Sequence, residues 1–233
     1  MTPFLNIRLS RTALQLMAAG LVAGGAAMPA SAVTLTTASP PASFADTALP
    51  GTSAALRPEL AGTVLTDQIT PFSFQGLEGT VQSRVVREAA SGTLDFYWRL
   101  NVSRDASGVG LSAFRLVDFG MPQLVDADWR MDGLGQVSPS TARLFSASTQ
   151  PSGAINFLFD TPIAAGSGST FFFLKTTATD YAATGRFDLL TGGAQNLSPI
   201  YGTLAPVPEP TTWALGLVGL VVAATARRWQ QRK

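Results

Sequence analysis

The run Gly92-Thr93-Leu94-Asp95-Phe96-Tyr97-Trp98-Arg99-Leu100-Asn101-Val102 constrains the fold more than any other stretch of the chain. Successive side chains of a strand point to opposite faces. Leu94, Phe96, Trp98, Leu100 and Val102 therefore share one face, and Asp95, Tyr97, Arg99 and Asn101 the other. This alternation predicts an antiparallel strand with one face buried and one in water. Further period-two runs, punctuated by Gly, Pro, Asp and Ser, predict strands at 64–67, 69–75, 80–88, 110–119, 123–131, 141–146, 154–160, 170–177, 185–191 and 199–204. With no helical pattern between the two ends, the expected fold is all-β, an antiparallel sandwich resembling a jelly roll over residues 61–204. Phe171-Phe172-Phe173-Leu174 is apolar on both faces and predicts a central strand, since large apolar side chains are mostly buried.

The segment 33–60 is rich in Thr, Ser, Ala and Pro and reads as a flexible or loosely packed arm, with a short strand at 33–36 as its one candidate element. The two ends are different in kind. Residues 1–32 read as a secretory signal peptide: Arg8 and Arg11 precede an uncharged apolar stretch, 12–28, and Ala30-Ser31-Ala32 supplies the small residues that signal peptidase requires. Cleavage is expected after Ala32.

At the other end, 213–226 (WALGLVGLVVAATA) holds no charge and is followed by Arg227 and Arg228. Fourteen helical residues cover about 21 Å of a hydrocarbon core about 30 Å thick. Thr211 and Thr212 lengthen the run, and Trp213 and Trp229 stand where interfacial aromatics belong. The segment 205–233 therefore reads as a terminal tag. It is expected to hold a transmembrane helix over about 211–226, with the basic tail 227–233 on the cytoplasmic side of the membrane.

Export changes the charge argument. Between Val33 and Pro206 there are 10 Lys+Arg and 14 Asp+Glu, so that portion carries 10 − 14 = −4 although the whole chain is +1. A basic nucleic-acid-binding face is unsupported. The chain has no Cys, so a domain of this size must rest on its apolar core. It has no His either, which excludes Ser-His-Asp and Cys-His catalysis and imidazole-based zinc sites.

Three candidate sites remain in the ectodomain. Asp126, Asp128 and Asp132, followed by Gly133, superficially resemble an oxygen-rich calcium loop, but the fifth-position acceptor and distal Glu of an EF-hand are missing. Calcium is the one cofactor the sequence brings forward; alternation also suits Asp126 and Asp128 to a solvent face. Tyr97, Arg99 and Trp129 could make a sugar-stacking platform, although Trp98 and Trp129 also suit a core. Glu88, Asp95, Asp118, Asp126 and Asp160 could supply the two carboxylates of a glycosidase, a pairing that sequence cannot bring together.

Val207-Pro208-Glu209-Pro210-Thr211, then an apolar helix, then Arg227-Arg228, resembles the PEP-CTERM sorting signal. The two prolines keep this segment extended, a form a membrane-embedded peptidase could thread. The resemblance implies a Gram-negative, exported protein, held in the inner membrane until an exosortase processes it, then delivered to the cell surface or extracellular matrix. The strands over 92–119 also resemble PEP-CTERM ectodomains, which implies a fold and no settled activity. The resulting expectation is a non-enzymatic structural or adhesive protein of exopolysaccharide or biofilm assembly. A carbohydrate-binding module is the alternative, and a secreted hydrolase a third.

Overall fold

Leu94, Phe96, Trp98, Leu100 and Val102 are all buried, on one side of a strand that runs Leu94–Asp105 (β4). The computed structural model describes residues 43–207 except 118, 120–123, 148–149 and 193–195. The signal segment 1–32 and the apolar run 211–226 lie outside these residues. The described residues form twelve strands and one 3-10 turn, Pro58–Leu60. The remaining strands are β1 (Ser43–Ala48), β2 (Gly62–Phe74), β3 (Leu77–Glu88), β5 (Leu111–Val117), β6 (Leu124–Trp129), β7 (Thr141–Ala147), β8 (Gln150–Ile163), β9 (Ser167–Gly168), β10 (Phe172–Thr176), β11 (Tyr181–Thr191) and β12 (Tyr201–Pro206).

They make two antiparallel sheets. One has the order β1-β7-β8-β5-β11-β12 and the other β2-β3-β4-β10-β6, with β9 paired to β4. The chain crosses between the sheets repeatedly, as in the succession β4, β5, β6, β7. The fold is thus all-β, as expected.

Boundaries differ where the sequence signal is ambiguous. The runs 64–67 and 69–75 are one strand, β2, whose register slips between Val64 and Thr66 and so absorbs the break in alternation. Gln75, expected to end that strand, instead forms the hairpin turn with Gly76. Both have positive φ (50° and 79°), the conformation of a type I′ turn, which matches the twist of the flanking strands. The run 154–160 is the middle of the longer β8.

The arm also differs from expectation over its described part. Residues 43–48 pair with β7, from Ser43↔Ser146 to Ala48↔Thr141. Beyond them Leu49, Thr52, Arg57 and Leu60 are buried. The Thr- and Ser-rich composition disguised this segment, because its anchors are single side chains and backbone bonds rather than a periodic apolar face. The candidate strand at 33–36 lies outside the described residues.

The main core lies between the sheets, around Trp98, Phe96, Phe114, Phe157, Phe172 and Phe187. Phe172 meets the rings of Phe114, Phe157 and Trp98 at centroid separations of 5.3, 4.6 and 6.3 Å. Truncating such a ring to Ala costs about 3–5 kcal/mol. The indole N–H of Trp98 is satisfied inside the core: it donates to Thr203 Oγ1 at 3.0 Å, which bonds Ser83 Oγ at 3.2 Å and so links β4 and β3 to β12 in the facing sheet.

Phe171 and Phe173 point the other way. With Leu60, Val86 and Tyr97 they form a second apolar cluster on the outer face of the β2–β6 sheet. The both-sided apolar run is thus a central strand, β10, between β4 and β6.

Candidate functional site

The second cluster makes the outer face of the β2–β6 sheet the most chemically loaded surface of the described chain. Cross-strand register places Val86, Asp95, Lys175 and Asp126 in one row over β3, β4, β10 and β6. Arg84, Tyr97, Phe173 and Asp128 form the next row. Residues 53–61 cross over both as a lid, with Leu60 packed into the apolar cluster.

The three aspartates read as a calcium loop hold this lid and the residues that lead into it. Arg57, only 8% exposed, donates to Asp126 Oδ2 at 3.1 Å and to Glu59 Oε1 at 2.8 Å. Asp128 Oδ1 accepts the backbone N–H of Gly51 at 2.8 Å and of Trp129 at 2.9 Å. Asp132 Oδ2 accepts the N–H of Ala54 at 2.8 Å, and its carboxylate is clasped by Arg130. The calcium reading is corrected accordingly. Asp126, Asp128 and Asp132 point to three different partners, and no group of three or more acidic side chains able to hold a metal ion occurs among the described residues. Nor do Asp126 and Asp128 face solvent; both are buried, because the lid covers the face that alternation had left open.

Burial decides the electrostatics. Desolvation pushes the Asp126 carboxyl up against the opposing pull of Arg57, and it also raises Asp128. Asp132 behaves oppositely: the Arg130 hydrogen bonds, only partly offset by burial, take it down to about 2. For Arg57 burial works against the charge, but the carboxylates of Glu59 and Asp126 outweigh it and hold the guanidinium above its ordinary value.

Asp95 stands at the centre and is fully buried. Among the described residues no other N–H or O–H reaches either of its oxygens. Burial first, and then the neighbouring Glu88 charge, push it up to about 8. Lys175 Nζ contacts Glu88 Oε1 and lies 4.0 Å from Glu59 Oε1. Of the carboxylates named as hydrolytic candidates, the fold gathers Glu88, Asp95 and Asp126 here. Asp160 is exposed near the end of β8, and Asp118 lies outside the described residues.

Beside the lid a groove of about 500 Å³ opens between Leu60, Val64, Arg84, Arg130, Leu134 and Phe171. The Arg84 guanidinium sits 4.8 Å above the Phe171 ring, and Val64 and Leu134 are exposed at the margin. The proposed platform of Tyr97, Arg99 and Trp129 does not assemble. Tyr97 is buried under the lid, Arg99 donates to Ser169 O, and Trp129 packs on the main core with its indole N–H on Leu49 O.

Sequence reasoning missed Arg57 and the Lys175–Glu88 pair. One signal was available: Asp95, Tyr97 and Lys175 sit on strands whose inner faces are largely apolar. A second buried face is the condition under which isolated charges on such strands must pair.

The described chain runs into the sorting segment without a spacer. Pro206 is buried opposite Tyr181, and Val207 N donates to Asp180 O at 3.1 Å. Pro208, Glu209, Pro210, Arg227 and Arg228 lie outside the described residues, as do Ala30 and Ala32. Among the described residues no helix is long and apolar enough to cross a membrane. No curated protein and no solved structure matches the chain. The family model of the PEP-CTERM protein-sorting motif matches residues 206–233, beginning at the last residue of β12 and leaving the sandwich outside the match. This chain therefore carries a PEP-CTERM protein-sorting motif over residues 206–233.

Proposed function

We propose that the chain is a non-enzymatic surface or extracellular-matrix protein, exported behind a signal peptide, held transiently in the inner membrane and processed by an exosortase. Its β-sandwich would then act as a structural or adhesive unit within exopolysaccharide. The observation that carries this reading is the sorting motif beginning where β12 ends, so that the tag delivers the whole folded body. The residue chemistry agrees with it. The chain has no His and no Cys, and Asp126, Asp128 and Asp132 are engaged in tying down the lid.

Expression of the full chain in an exosortase-bearing Gram-negative host, followed by fractionation and intact mass measurement, tests this. The expected product lacks Trp213–Lys233 and is recovered with exopolysaccharide. An uncut chain confined to the inner membrane would refute it.

The groove favours one second reading, a saccharide-binding module. Its mixture of arginines, amide and apolar margin suits a polar ligand with apolar faces. Retention of the protein on isolated exopolysaccharide, lost on Arg130→Ala, is the expected result under that reading. No retention of either form argues against it.

A further inference from the structure

Lys175, Glu88 and Asp95 form a group separate from both the groove and the sorting segment. Lys175 lies directly opposite Asp95 across the β10–β4 pair. Its Nζ passes beyond β4 to contact Oε1 of Glu88, at the end of β3. Glu88 and Asp95 are 3% and 0% exposed. The surroundings are apolar on one side, where Val86, Tyr97, Phe173 and Leu60 cluster. Ser91 Oγ donates to Glu88 Oε2 at 2.5 Å, which fixes the carboxyl and polarises it. Among the described residues no donor reaches Asp95, and the Glu88 carboxyl lies close enough to act on it.

An amine, a carboxyl and a second, neutral carboxylic acid held together in a poorly solvated site are the components of amide formation. We propose that Lys175 Nζ and Glu88 Cδ become joined by an intramolecular amide, with Asp95 as the acid that carries protons during the reaction. The balance closes within the three side chains. A proton first passes from the Lys175 ammonium to the Glu88 carboxylate it contacts, which frees the Nζ lone pair. The Nζ lone pair then attacks Cδ to form the C–N bond. As the C–O bond to the departing oxygen breaks, Asp95 gives that oxygen its proton and takes one from the nitrogen. One water leaves, and Asp95 ends as it began. No oxidant, metal or cofactor enters.

Burial keeps Asp95 protonated at neutral pH, pushed up to about 8, where an ordinary aspartate would have no proton to give. Glu59, whose Oε1 is 4.0 Å from Nζ, is farther away and sits on the partly exposed lid. The bond would tie β10 to β3 across β4. In a chain without Cys it would supply the covalent reinforcement that exported domains commonly take from disulfides.

Tryptic digestion of the full-length protein and mass spectrometry test this, whatever processing the ends undergo. The expected product is a branched species joining 88–99 to 144–186, uncut at Lys175 and one water lighter than the two peptides together. Fragmentation places the bond on Glu88 rather than Asp95, since both lie in the first peptide. Lys175→Arg and Glu88→Ala give only linear peptides. Asp95→Asn, which keeps the shape of the side chain, is expected to leave most of the protein unjoined. Recovery of wild-type protein solely as linear peptides cut at Lys175 overturns the proposal, and undiminished joining in Asp95→Asn overturns the role given to Asp95.

Discussion

Asp95 is flanked in sequence by Leu94 and Phe96, which lie in the main core, yet its own side chain is equally hidden from water. Its proton linkage has a definite sign. The ordinary value is 3.8 and the folded value about 8. Between those limits the folded chain holds a proton that the unfolded chain has released, so stability falls as pH rises through that window. The slope from one such group is at most about 1.4 kcal/mol per pH unit. Asp126 and Asp128, also raised by burial, act in the same direction. Asp132 acts oppositely: its stabilisation is present above about pH 4 and is lost as pH falls towards the folded value of about 2. Denaturant unfolding measured against pH is therefore expected to show greatest stability near about pH 4–5, with Asp95→Asn flattening the decline above it. A decline of the same steepness in Asp95→Asn would show that another group is responsible. The sequence made the inner face of β4 legible, Trp98 included. It left Asp95 and Tyr97 on a water-facing side, because alternation reports that a strand has two faces and not whether the second is covered.

At the scale of elements, the lid decides what the outer sheet face can do. Residues 53–61 belong to no strand; they are held by Arg57, by Leu60 and by the Ala54 N–H that Asp132 accepts, while Asp128 holds Gly51 just ahead of them. Removing one member of a buried ion pair leaves its partner uncompensated and typically costs about 3–5 kcal/mol. Arg57→Ala is thus expected to lower stability by an amount of that order and to open the lid. Limited proteolysis should detect this as new cleavage within 53–61, with the main sandwich still intact. Cleavage no faster than in the parent chain would mean that Leu60 and the backbone bonds suffice. The lid was illegible in sequence for a related reason. Its partners lie about 70 positions away, as in Arg57–Asp126, and a segment anchored by scattered long-range bonds carries no local period.

For the molecule as a whole, the geometry of attachment follows from β12. The last described residue, Val207, is bonded to Asp180 in the β10–β11 turn. That turn is in turn bonded to the β3–β4 turn through Leu94 N and Ala178 O at 2.9 Å. Six steps separate Val207 from Trp213, and a chain extends at most about 3.3–3.6 Å per residue, so the link between them spans no more than about 22 Å. Under the proposed function, with the chain from Trp213 onward in the membrane before processing, the end of the sandwich bearing Ala89 and Ala90 would be held close to the bilayer. Ser107, at the far end of β4, is twelve strand residues away, or about 40 Å at the usual rise. Because the chain has no Cys, single cysteines at these two positions label uniquely. In proteoliposomes the probe on Ala90→Cys is expected to be quenched by headgroup-attached nitroxides and that on Ser107→Cys spared. Equal quenching at the two sites would rule out this orientation.

By itself the sequence determined the all-β class, the strands whose apolar face is periodic, the membership of Trp98 and Phe172 in the core, and the sorting tag. Each of these is a local pattern: strand period, apolar length, or a short motif in fixed order. Only the tertiary structure decided that the arm is partly sheet and partly lid and that Asp126, Asp128 and Asp132 clamp it. It alone brought Glu88, Asp95 and Lys175 into one buried group. Those outcomes depend on which faces are covered and on residues brought together from distant parts of the chain. Burial then set the charge of each carboxyl, through desolvation and through partners that lie next to it in space and far from it in sequence.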